Sequence, residues 1–451
     1  MLQISAGAED QRAGLPRRSV LQLGALTLAG LTGSHLTLPQ LARAAGDQPP
    51  KTSVILLWMA GGPSHIDTYD MKPNAPAEVR GPFRPIATNL PGLDVCDLMP
   101  RHTAIADKLS VVRSLHHTLS VHDDASHWLQ TGYPLLQARE RGQQQPCQGS
   151  VASKLRGACE PGVPAYACVP EDYRSHMGFY QAATYLGSRY NAVNAGGDPS
   201  IGKYRLPEFQ LPTEISLQRF SGRRELLQTF DATSRQLEAA SALESMTENQ
   251  RQAFDLIAGS RARDIFDITR ESTAMRDRYG RHGWGQSTLM ARRLVEAGAT
   301  FVTVNLYEKD VDWWDDHYVI EQNLRKRLPI YDQALSALIE DLHDRGLSER
   351  VLVVACGEFG RNPRIDAHAG RGHWCRAMHA VLSGGGIREG QIIGSTTSNG
   401  GEPQDRPFGP GDLLASIYKV LGIDHDTYLP DHQNRPTRLV ETGEPIAELF
   451  A

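Results

Sequence analysis

The chain has 451 residues, of which 40% are hydrophobic and 22% charged, and a net charge of -5. That length suits one large α/β domain with insertions, or two domains. The slight negative balance gives no electrostatic footprint for nucleic acid, and without a Walker lysine motif or a GxGxxG after a strand, nucleotide binding has no support.

The amino terminus reads as an address. Arg17-Arg18 precede Ser19-Val20-Leu21, an apolar stretch runs to Leu41, and Ala42-Arg43-Ala44 supplies a small-x-small cleavage site. This is the pattern of a twin-arginine signal over residues 1–45, which implies the twin-arginine translocase as a partner and a periplasmic or secreted location. Gln22, Ser34, His35 and Gln40 dilute the run below a clear membrane span, although an uncleaved signal would anchor the chain. Residues 46–451 read as a single domain, with 135–285 an insertion or cap.

The first predicted strand is Ser53 to Met59. It runs into Gly61-Gly62-Pro63-Ser64-His65-Ile66-Asp67, where glycines permit a sharp turn. Residues 71–103, rich in proline, read as a long surface excursion. Leu109 to Leu115 is a second strand, followed by His116, His117, His122, Asp123, Asp124 and His127. Asp123 and His127 share one face of a helix, the spacing of metal ligands, while Asp123 or Asp124 serves equally as a helix cap. Residues 134–212 are loop-rich. From 214 the pattern turns helical, with amphipathic stretches at 223–243 and 249–277. Then a βα rhythm returns: a helix over 287–297, a strand over 300–306, the cluster Asp312-Trp313-Trp314-Asp315-Asp316-His317, and a helix over 330–345. A strand at 351–355, another at 377–382 and a helix over 411–421 follow. The six cysteines contain no CxxC pair, which argues against a structural zinc knuckle; Cys147, Cys159 and Cys168 lie close enough in sequence for one bridge.

Acid and histidine clusters recur after four predicted strands, at 65–67, 122–127, 315–317 and 358–373. In a parallel sheet those strand ends share one edge, where ligands bind, so the clusters can converge on a metal.

Taken together, GGPSHIDTYDMKP, the export signal, WDDH, GEFGR, GRGHW and PFGPGDLLASIYKVLGI resemble the bacterial exported proteins grouped as domain of unknown function 1501. That resemblance implies a sulfatase-like member of the alkaline phosphatase superfamily: an α/β sandwich with a mostly parallel central sheet. It also implies a metal-dependent hydrolase of phosphate or sulfate esters. By the same resemblance, Glu358 matches the strand-end metal acid, Asp315 and His317 an earlier metal motif, and His373 a late lone histidine. Phe359 stands where relatives carry a histidine. The first-strand aspartate falls near Ala60 or Gly61, with Asp67 the nearest substitute. Cys168-Val169-Pro170-Glu171-Asp172 lacks the arginine of a formylglycine motif.

The expected site is therefore Asp67, Asp315, His317, Glu358 and His373 around one or two divalent ions (Zn, Mn, Ca or Mg). Arg361, and Arg371 beside it, would neutralise the oxygens of an anionic small-molecule or carbohydrate ester. His127 is the candidate acid or base. Candidate nucleophiles are Ser64, Ser120, Thr118 and a metal-activated water. Phe359 and the missing first aspartate keep open a non-catalytic ligand- or carbohydrate-binding protein on a degenerate hydrolase fold. A serine esterase using Ser64 lacks G-x-S-x-G.

Overall fold

The first strand, β1 (Ser53–Trp58), is buried at every position. Its side chains part to two faces. Ile55 and Leu57 join a core with Leu289, Leu294, Leu335 and Leu338, whereas Val54, Leu56 and Trp58 join one with Leu129, Val151, Leu413 and Leu414. A strand covered on both faces needs a continuous apolar run, which SVILLW supplies.

The computed structural model describes residues 51–135, 143–171, 180–201, 204, 264–306 and 314–451. Among the described residues, seven further strands join the sheet: β2 (Ser110–Leu115), β3 (Tyr166–Val169), β4 (Val193–Asn194), β5 (Phe301–Asn305), β6 (Val351–Cys356), β7 (Met378–Gly384) and β8 (Gln391–Ile393). The order is β8-β2-β7-β6-β1-β5-β3-β4. Only β7 runs against its neighbours; the other pairings are parallel. Helices α1 (His122–Thr131), α2 (Gln148–Arg156) and α5 (Pro410–Val420) lie toward one face, and α3 (Gly283–Ala297) and α4 (Ile320–Asp344) toward the other. The architecture is the expected α/β sandwich with a mostly parallel sheet, and residues Lys51–Ala451 form one compact unit. No helix among the described residues is long and apolar enough to cross a membrane.

Several expectations are corrected. The 71–103 excursion buries Phe83, Leu93, Val95, Cys96 and Met99, so it is part of the core. Helix α3 starts at Gly283, because the His282 ring caps it by accepting the Gly285 N–H at 3.1 Å. Helix α4 starts at Ile320 and carries Pro329 inside; burial of Ile320, Leu324, Leu328 and Tyr331 on one face outweighs the proline penalty of about 3 kcal/mol. No two cysteines are bridged: the Cys147 and Cys168 thiols both lie against the Tyr166 hydroxyl, at 3.7 and 3.5 Å. The export signal, Asp312, Trp313 and the 223–243 helix fall outside the described residues, as does most of the 249–277 helix.

Candidate metal centre

Strands β1, β2, β5 and β6 end on one edge of the sheet, and the reversed β7 begins there. The sequence WDDH then distributes its side chains by turns. Trp314 is fully buried, stacks on Trp284 at 5.5 Å, and donates its backbone N–H to Ala60 O at 2.9 Å. That anchor presents Asp315 and His317 to the edge, while Asp316 turns inward to Arg327 at 2.7 Å. After β6, Glu358 points into the same place. His373 arrives on a short ribbon pairing it with Arg361. His122 arrives as the first residue of α1, in the loop after β2.

These groups converge. Single ligand atoms of His122, Asp315 and His373 all lie within 4.8 Å of one another. His122 Nε2 is 3.3 Å from Asp315 Oδ2, and His373 Nε2 is 3.2 Å from Asp315 Oδ1. His317 Nε2 is 2.8 Å from His373 Nε2 and 3.1 Å from Asp315 Oδ1. The Nδ1–H of His373 donates to Ser120 O at 2.7 Å, which leaves its Nε2 lone pair facing the cluster. His122 makes its Nδ1 contact with Glu358 Oε1 at 2.6 Å, a carboxylate–histidine pair. The other oxygen, Glu358 Oε2, is buried with no hydrogen-bond partner among the described residues. Imidazole nitrogens with one or two carboxylates, and an orphaned buried oxygen beside them, fit a divalent metal ion. The side chains of Asp315 and His317 are 35% and 38% exposed, so the cluster opens to solvent.

Electrostatics bind the set together. Burial opposes the Asp315 charge, but His122, His373 and Arg361 outweigh it and hold the carboxyl well below the usual carboxylate range. Burial likewise opposes charge on His122, yet Asp315 and Glu358 raise its pKa to about 9. His317 is lowered, by burial first and then by Arg361 and His373 against the pull of Asp315.

The glycine turn makes this geometry possible. Gly61 has φ +107, and a Cβ there would lie 2.6 Å from Asp315 N; one on Gly62 would lie 2.5 Å from the Phe359 ring. The Gly61 N–H donates to Glu358 Oε1 at 2.8 Å. Phe359 is the floor of the site, its ring centroid 4.6 Å from His373 and 4.9 Å from His122. It holds both imidazoles by contact rather than by ligation.

Other expected site residues lie apart from the converged groups or bind within the fold. Arg361 is fully buried and donates four hydrogen bonds, to Gly61 O, Gly62 O, Arg371 O and Asp315 Oδ1. It fixes Asp315 to the glycine turn. Asp67 takes Arg371 Nε at 2.7 Å and the Ser64 hydroxyl at 2.5 Å, all three fully buried. His127 faces away: its Nδ1–H donates to Tyr133 O at 2.7 Å and its Nε2 accepts the Gln144 N–H at 3.1 Å. Burial lowers its pKa to about 4. The residue missing from the expected ligand set is His122: it lies in the 122–127 cluster expected to converge, but within that cluster only His127 has a role in the expected site.

No curated protein matches the sequence. Among solved structures, the chain is similar to PsFucS1 sulfatase from Pseudoalteromonas sp., at 12% identity and TM-score 0.39, covering 91% of this chain and 72% of that one. It is also similar to alkaline phosphatase from the Antarctic bacterium TAB5, at 12% identity and TM-score 0.37, covering 83% of this chain and 99% of that one. A phosphonate monoester hydrolase from Silicibacter pomeroyi is similar at 10% identity and TM-score 0.36, with coverage of 89% and 76%. The family model described as Protein of unknown function (DUF1501) matches residues 51–450, nearly the whole of the described fold with its converged edge, and the chain belongs to that family.

Proposed function

We propose that the protein is an exported, metal-dependent hydrolase of phosphate or sulfate esters. The observation that carries this reading is the convergence of His122, Asp315, His317 and His373 at a solvent-open sheet edge, with Glu358 behind them. A divalent ion bound there would polarise the ester and lower the pKa of an attacking water. His122, Asp315, His317 and His373 would hold it. Glu358 orients His122 through Nδ1, and Ser120 O orients His373. Arg361 keeps Asp315 charged and in place. Phe359 excludes water from below the imidazoles. Ser64 acts as part of the Asp67–Arg371 unit rather than as nucleophile, since its hydroxyl is buried and already donated.

The test is metal content and ester hydrolysis of the full chain beside His122→Ala and His373→Ala. Stoichiometric metal in the wild type, lost together with hydrolysis in both variants, is the expected result. Folded, metal-supplemented wild type with no bound metal would refute it.

A further inference from the structure

Few large apolar side chains stand exposed among the described residues, and two of them are adjacent: Tyr318 at 62% and Val319 at 41%. They directly follow His317. Val319 has φ 42, a left-handed conformation that is a genuine outlier for a β-branched residue. Facing it, Ala369 has φ 54. The two strained residues lie on segments joined by backbone hydrogen bonds, Val319 N–H to His368 O at 3.2 Å and Ile320 N–H to Ala369 O at 2.9 Å. The join has no slack, because a Cβ on Gly370 would lie 2.0 Å from His317 O. Strain that the surrounding structure holds in place clusters at functional positions.

The product of this strained join is an aromatic corner. The Tyr318 ring stands edge to face with His368 at 5.3 Å, and its centroid is 6.5 Å from that of His317. An exposed flat ring therefore stands beside His317, itself a partly exposed member of the cluster. Resting on the hydrolase reading above, the geometry points to Tyr318 as a platform for the leaving group of the ester, which is a ring-bearing one (an aromatic or pyranose ring) rather than a short alkyl chain. The anionic end sits at the converged donors and the ring lies on Tyr318. Offset ring contacts of this kind favour the ring-bearing ligand.

The experiment uses phosphonates, which bind without turning over. Phenylphosphonate and methylphosphonate are titrated into the metal-supplemented full chain, the Tyr318→Ala variant and the Tyr318→Phe variant, with metal content measured in each. The wild type should bind phenylphosphonate about five- to tenfold more tightly than methylphosphonate. Tyr318→Ala should lose most of that preference with metal content unchanged, and Tyr318→Phe should keep it. Equal affinity for the two phosphonates, including binding of neither, overturns the platform, as does a preference that survives Tyr318→Ala. Absence of ester hydrolysis with the phenyl preference intact would instead overturn the hydrolase reading and leave the platform standing.

Discussion

Glu358→Gln isolates the contribution of the buried carboxylate. Glu358 Oε1 is shared by the Gly61 N–H at 2.8 Å and His122 Nδ1 at 2.6 Å. Glutamine keeps an oxygen in that place and removes the charge. His122 keeps an oxygen at its Nδ1 but loses the charge that raises its basicity, and mutation of such a partner typically weakens metal binding about 10–100-fold, or roughly 1.4–2.7 kcal/mol. The amide nitrogen of glutamine replaces an oxygen that has no hydrogen-bond partner among the described residues, and its unpaired donors cost about 1–3 kcal/mol of fold stability. The two effects are separable. Chelator competition reads the metal affinity, and urea unfolding with chelator present reads the fold. A metal affinity within about twofold of wild type, where His373→Ala abolishes binding, would refute the assignment of Glu358 to the centre.

The remaining predictions concern acid stability and Ser64. Burial lowers the pKa of His127 to about 4 and that of His379 to about 3, against an ordinary 6.5. Both are thus neutral when folded and protonate on unfolding below pH 6.5, so their stability contribution is complete above that pH and is lost as pH falls toward the folded values. The loss near pH 4 is on the order of 3 kcal/mol for each. Urea midpoints should fall between about pH 7 and 4.5, and the His379→Leu variant should show a flatter profile; identical profiles would contradict this. Ser64→Ala should cost about 1 kcal/mol, from the hydrogen bond to Asp67, and retain ester hydrolysis. A fall in kcat beyond about a hundredfold in stably folded protein would make Ser64 the nucleophile after all.

The sheet was legible where apolar runs are long. β1, β2, β5, β6 and β7 each bury nearly every side chain, and their sequences show it without help from neighbours. β3, β4 and β8 have four, two and three residues, too few for any periodicity, and they exist because an established edge offers them partners. The direction of β7 depends on the ribbon that precedes it, which no local pattern encodes. At the candidate site, position after a strand pointed to the clusters that hold Asp315, His317, Glu358 and His373, and the family resemblance picked those four out of them. It could not tell a side chain aimed outward from one turned into the fold. Asp67 and Asp315 look alike in sequence, and the difference is whether a buried arginine clamps both oxygens, as Arg371 does with Asp67, or one, as Arg361 does with Asp315. His122 was hidden for the same reason among five other acids and histidines.

The pairing of His122 with Glu358 joins positions 236 apart in the chain. The cluster as a whole draws on the loops after β2, β5 and β6 and on the approach to β7. It therefore exists only after the sheet order is complete, and such long-range closure belongs to the late, slow part of folding. Any ligand bound there stabilises the native topology as a whole rather than one loop. At a free concentration a hundredfold above its dissociation constant, that linkage adds about 2.7 kcal/mol to global stability. Were the centre loaded, binding and resistance to proteolysis would become one equilibrium, and depletion of that ligand would be felt first as a shorter lifetime of the protein.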